Sequence, residues 1–240
     1  MMFDIPEQYK VQVKIALKDF IPKDLKPEKK KRIKEVIKDV FLAYQIAGEQ
    51  IPSVMNNEYR CQVIQIYDIE VRNIKEASFI ASTYQSIIKS LCVLKIHDSV
   101  SEVYSFALKR LSQVDNSQVV ILDDECSEVF QTMLPDRQKE RFFEYMSFNK
   151  IINKTNKVNF YFEMFTKEFM LKNEKAYSNM ELILERPVWY DFNRIVRIYS
   201  LLKTIVDNKE IISKTTNNVE KIKINQEIKN SLEKLEVEIK

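Results

Sequence analysis

The chain has 240 residues, 45% hydrophobic and 30% charged, with 38 basic against 35 acidic side chains and a formal charge of +3. Those values are ordinary for a globular protein with a sizeable core, and they exclude an argument for nucleic-acid binding from net charge alone. The single glycine, Gly48, where an average chain of this length carries roughly 7% glycine, excludes Gly-rich phosphate loops, nucleophile elbows and primed hairpin turns.

Asp4, Pro6 and Glu7 have the pattern of a capped helix start, and Tyr9, Val13, Leu17 and Phe20 predict its apolar stripe up to Pro22. Pro27 and Gly48 bracket a second predicted helix, in which Ile33, Val36, Ile37, Val40, Phe41 and Tyr44 follow helical spacing. Its first turns carry Lys29, Lys30, Lys31, Arg32 and Lys34, a charge that opposes the helix dipole. This cluster reads first as a solvated face, with phosphate contact as the alternative. Residues 62–71 are β-branched and aromatic and predict a central strand covered on both faces. A helix over 77–88, a strand over 92–96, a turn at His97-Asp98-Ser99 and an antiparallel strand over 102–108 follow. Val119 to Leu122 predicts a further strand. From Pro135 the chain turns helical, with aromatic stripes at Phe142–Phe148 and Phe160–Phe169, a helix capped by Asp191, and a last segment placing Ile228, Leu232, Leu235 and Ile239 at 4-3-4 spacing. That seam is too short to stand alone as a coiled coil and needs a cover from its own domain, a second copy or another chain. Trp189 after Pro187 reads as a core anchor.

The expected fold is therefore α+β. A small, mostly antiparallel sheet of three or four strands with flanking helices occupies 1–134, and a helical C-terminal region occupies 135–240.

No constellation for catalysis or metal binding stands out, and no cofactor is expected. Cys61, Cys92 and Cys126 have no metal-type spacing and predict reduced thiols in a cytoplasm. The N-terminus lacks a basic region followed by an apolar run, and no window approaches the ~18 apolar residues of a membrane span. His97, the only histidine, has no sequence partner for a triad and reads as a surface turn residue. Asp68 and Glu70 share a strand face with Arg72 two residues on. A restriction-type, Mg²⁺-dependent nuclease wants an acid on one strand and Glu-x-Lys on another, and arginine is a poor substitute for that lysine. Lys109 and Arg110 predict strand-end charges paired with Glu70 or Asp115, or facing a phosphate. The mixture of Arg137, Lys139 and Arg141 with nearby aromatics, running to Lys157, suits either a core stripe or a single-strand nucleic-acid contact.

The stretches Ile66–Val71, Leu91–Ile96 and Ala107–Asp115, with the tail Val219–Ile228, resemble the bacterial domain-of-unknown-function family numbered 4391. Ser90-Leu91 stands where that family has Ile-Pro, and Glu70-Val71-Arg72-Asn73 stands for its Glu-Val-x-Leu-Lys pattern. The resemblance carries no catalytic residue over. It implies a gene context beside helicases and DNA methyltransferases of restriction-type defence systems. From this follows the expectation of a non-enzymatic accessory or protein-interaction component, with a helicase or methyltransferase as partner, or self-association through Ile228, Leu232, Leu235 and Ile239. The alternatives are a nucleic-acid-binding module using Lys29–Lys34, Lys109, Arg110 and Arg137–Arg141, or a divergent Mg²⁺-dependent nuclease.

Overall fold

The computed structural model describes residues 2–240. The first predicted helix does not form. After two short 3-10 turns the chain runs as strand β1 (Lys10–Lys14), and only a single turn, α1 (Leu17–Phe20), is α-helical. Helix α2 (Pro27–Val36) starts on Pro27 as expected but stops at Val36, where strand β2 (Ile37–Ile46) begins. Ile37, Val40, Phe41 and Tyr44 fit a helical stripe and a pleated strand equally well. Pairing with two other strands decides between them, because β-branched and aromatic side chains gain most on a half-buried sheet. Gly48 then takes φ +80° in the loop that follows.

A separate hairpin, β3 (Val54–Met55) with β4 (Arg60–Cys61), precedes strand β5 (Ile64–Val71). Helix α3 (Ala77–Ile87) crosses over to strand β6 (Leu91–His97), which lies parallel to β5. Strands β7 (Ser101–Leu111), β8 (Val119–Cys126) and β9 (Phe130–Gln131) follow. The sheet runs β1-β2-β5-β6-β7-β8, with β9 also on β7. It has seven strands and is mixed. The α+β class holds, but the expected small, mostly antiparallel sheet of three or four strands is overturned. β1 and β2 lay hidden in segments with helical spacing, and a helical crossover between neighbouring strands makes them parallel.

Among the described residues the chain forms two compact units, Met1–Phe165 and Thr166–Lys240, whereas the aromatic pattern placed the change of character at 134/135. In the first unit, α2 and α3 cover one sheet face over a core that includes Ile33, Val40, Ile69, Tyr84 and Ile96. On the other face, helix α4 (Arg137–Met146) and the start of helix α5 (Lys157–Lys172) cover the apolar half. Tyr104 meets Phe142 with ring centroids 5.1 Å apart, and the Tyr161 hydroxyl donates to the Cys92 carbonyl at 2.7 Å and accepts from Ala107 N at 2.9 Å.

In the second unit, a short helix α6 (Met180–Glu185) precedes α7 (Phe192–Lys214) and α8 (Asn218–Glu238). The last two pack on each other, and Asp191 caps α7 as predicted. Trp189 is fully buried and donates its indole N–H to the Ile183 carbonyl at 3.1 Å, which bears out its reading as an anchor.

Candidate functional site

The alternation Asp68-Ile69-Glu70-Val71 gives β5 one apolar face and one charged face. Register extends the charged face across the sheet. Asp39 of β2 stands opposite Glu70, Glu70 opposite His97 of β6, and His97 opposite Glu102 of β7. The neighbouring row is Phe41, Asp68, Lys95 and Tyr104. Cross-strand partners share a face, so these residues form one shelf. It lies at the C-terminal ends of the parallel pair β5 and β6, where open sheets place their ligand sites.

A bulge shapes the shelf. Ile37 pairs with Val71 but Asp39 pairs with Glu70, so Lys38 is an extra residue on β2. A bulge of this kind turns the extra side chain toward its neighbour's side. Lys38 Nζ accordingly lies 2.9 Å from Glu70 Oε1, and Lys14 of the edge strand pairs with Asp39. The Asp39 and Glu70 side chains are each 36% exposed, open enough for a ligand to reach. Arg72 N and Nε donate to the Val36 and Glu35 carbonyls at 2.9 and 2.8 Å, tying the end of β5 to the end of α2.

Asp68 sits deeper. His97 Nε2 lies 3.0 Å from its Oδ1, which accepts no other donor, making this an ion-pair contact rather than a well-aligned hydrogen bond. Lys95 Nζ is 3.5 Å from Oδ2. The second His97 nitrogen, Nδ1, is 3.2 Å from the Asp98 carbonyl, so both ring nitrogens face acceptors. The Asp68 contact holds the imidazolium above the usual histidine range, against burial. Burial pushes the Asp68 carboxyl up, but the His97 contact and the Lys95 charge outweigh it and hold the group below the usual range. Lys95 also reaches Glu102 at 3.9 Å, and Lys139 of α4 pairs with Glu102 at 2.7 Å. Among the described residues no group of three His, Cys, Asp or Glu side chains converges into a complete metal-ligand set. A metal here would rest on two carboxylates and complete its shell with water or substrate oxygens.

The predicted site residues fall in different places. Lys29, Lys31 and Lys34 are exposed on α2, the helix that leads into Lys38. Lys30 donates to the Lys23 carbonyl, and Arg32 is held by Glu76 at 2.6 Å and by the Phe79 ring at 4.0 Å. Lys109 is not a strand-end charge. It is buried, and Nζ donates to the carbonyls of Ile88 and Ser90 at 2.8 and 3.2 Å and to Cys92 Sγ at 3.4 Å. These contacts cap the C-terminal end of α3 with a cation. Arg110 lies half-buried beside Tyr59. Arg137 is exposed at the start of α4, Lys139 is engaged by Glu102, and Arg141 is half-buried. The aromatic stripe beside them is core: Phe142 and Tyr145 are buried, and Lys157 is buried too, its ammonium bonded to the Gly48 and Ile51 carbonyls and to Ser53 Oγ. Ile228 and Leu235 are buried in the helical unit, and Leu232 and Ile239 are half-buried.

Sequence reasoning missed Lys38 and Asp39, because β2 carried a helical spacing. It also took His97 for a surface residue, whereas His97 ends β6 in contact with Asp68.

No helix among the described residues is long and apolar enough to cross a membrane. A family model described as a domain of unknown function (DUF4391) matches residues 3–235. No curated protein and no solved structure matches.

Proposed function

The chain belongs to the DUF4391 family, whose description assigns no activity, and from that premise we propose that its charged shelf cleaves nucleic-acid phosphodiester bonds with Mg²⁺. The observation that carries this reading is the β2 bulge, which sets Lys38 and Asp39 beside Glu70. A restriction-type metal nuclease needs an acid on one strand, a second acid on the next, and a lysine. Asp39 supplies the first, Glu70 the second, and Lys38 takes the role for which Arg72 is unsuited. Two carboxylates suit Mg²⁺, which keeps several waters and takes its remaining oxygens from phosphate. Asp39 and Glu70 would hold the ion, which would supply Lewis-acid polarisation of a phosphoryl oxygen and of an attacking water. Lys38 steadies the negative charge that develops on the reacting oxygens. Lys29, Lys31 and Lys34, exposed on α2, offer further contacts to a phosphate backbone.

Plasmid nicking by the purified chain with and without Mg²⁺ tests this. Asp39→Asn and Glu70→Gln are each expected to lower the Mg²⁺-dependent rate by roughly 100-fold, the loss of about 2.7 kcal/mol of transition-state stabilisation. Circular dichroism should stay unchanged. Absence of cleavage with Mg²⁺ or Mn²⁺, or full activity in Asp39→Asn, would return the chain to a non-enzymatic accessory role.

The finer context, work in the cytoplasm beside a helicase or methyltransferase of a restriction-type defence system, is proposed on the resemblance of Ile66–Val71, Leu91–Ile96 and Ala107–Asp115. Three cysteines outside any disulfide, Cys61, Cys92 and Cys126, suit that reducing compartment. A tagged chain is expected to retain such a partner through nuclease treatment; a partner lost on that treatment would point to tethering by nucleic acid alone.

A further inference from the structure

A second surface of the sheet unit has the form of a receptor. Asp4, Leu134, Asp136, Glu140, Phe143 and Glu144 line an open concavity of about 490 Å³, within the size range of binding pockets. The loop leading into it exposes Met133 by 86% and Leu134 by 64%. Thr132 N donates to the Val100 carbonyl at 2.9 Å, which brings the exposed Val100 alongside. Exposed apolar side chains grouped beside a concavity and rimmed by charge are the mark of an interaction site.

The rim is predominantly acidic. Lys139, the cation among the lining residues, has its ammonium engaged by Glu102 and by the Gln131 carbonyl at 3.0 Å. Asp136 caps α4, and Asp4 accepts from Ser147 Oγ. Glu140 and Glu144 are exposed and make no ion pair among the described residues. They stand four apart on one helix face, an arrangement that works against the isolated helix. Phe143 lies between them in the chain and offers a ring to a cation.

We infer that this surface docks a cationic, amphipathic segment of a partner protein. Its apolar side chains enter the concavity beside Met133 and Leu134, and its lysines or arginines lie over Glu140 and Glu144. Charge complementarity selects this occupant, and the inference does not depend on the cleavage reading.

The test uses the full chain and two labelled synthetic helical peptides of equal positive charge, one with a leucine face and one with serine in place of leucine. Fluorescence anisotropy is expected to show the leucine peptide binding roughly tenfold more tightly. Glu140→Lys with Glu144→Lys should abolish most of that binding. Glu233→Lys with Glu236→Lys, which changes net charge equally on exposed positions of α8, should not. Met133→Ser with Leu134→Ser, outside any helix, should remove the preference for leucine while leaving the fold unchanged. Equal binding of the two peptides, or equal loss in the two charge-reversed variants, would overturn the inference. So would sedimentation showing that the chain self-associates and that Glu140→Lys with Glu144→Lys disperses it, which would assign the surface to a second copy.

Discussion

His97 shows how far one residue's chemistry depends on its surroundings. Its folded pKa is raised by Asp68, so the stability it contributes is complete below the unfolded histidine value of about 6.5 and is lost as pH rises through the higher folded value. Asp68 is held low, so its share is present above about 3.9 and is lost as pH falls through its folded value. The pair therefore stabilises the fold most between these limits. Thermal melts from pH 5 to 9 are expected to show a stability decline of about 1 kcal/mol or less above neutrality, the scale of a partly screened ion pair. His97→Gln should remove that decline; a native-like decline in the variant would assign it to another group. Nothing near His97 in the chain announces this partner, because Asp68 meets it only through parallel pairing of β5 and β6. Lys109 carries the same lesson: its alternation in β7 was legible, but its acceptors, Ile88, Ser90 and Cys92, come from the end of α3 and from β6.

At the scale of elements, periodicity served best where one competing pattern was absent. The helix over 77–88, the strands at 92–96 and 102–108 and the Asp191-capped helix all appear in the structure. It failed for β2, where Ile37, Val40, Phe41 and Tyr44 satisfy two periods at once, and only β1 and β5 on either side choose between them. That ambiguity hid the bulge and with it half of the candidate site. The basic run lies on α2, which ends two residues before Lys38 and packs over the sheet face opposite the shelf. Its members differ: Arg32 is tied to Glu76 and Phe79, whereas Lys29, Lys31 and Lys34 are exposed. Replacing those three with alanine is expected to reduce the slope of log affinity for duplex DNA against log salt by roughly 3, about 0.9 per phosphate contact. Titrations at several salt concentrations measure it, and an unchanged slope would place the DNA contact elsewhere.

For the whole molecule, the sequence by itself determined the α+β class, the order of most elements from β5 onward, the helical C-terminal part, the buried role of Trp189 and the lack, among the described residues, of a helix long and apolar enough to cross a membrane. Each of these rests on local information: period, caps, composition and the length of apolar runs. The tertiary structure alone decided that the sheet has seven strands, that β5 and β6 run parallel, and that Asp39, Glu70, His97 and Glu102 stand in one row. Those features depend on register between strands distant in the chain. A one-residue slip in such pairing sends every side chain to the other face. A charged residue therefore becomes a site residue only when the sheet supplies its neighbours.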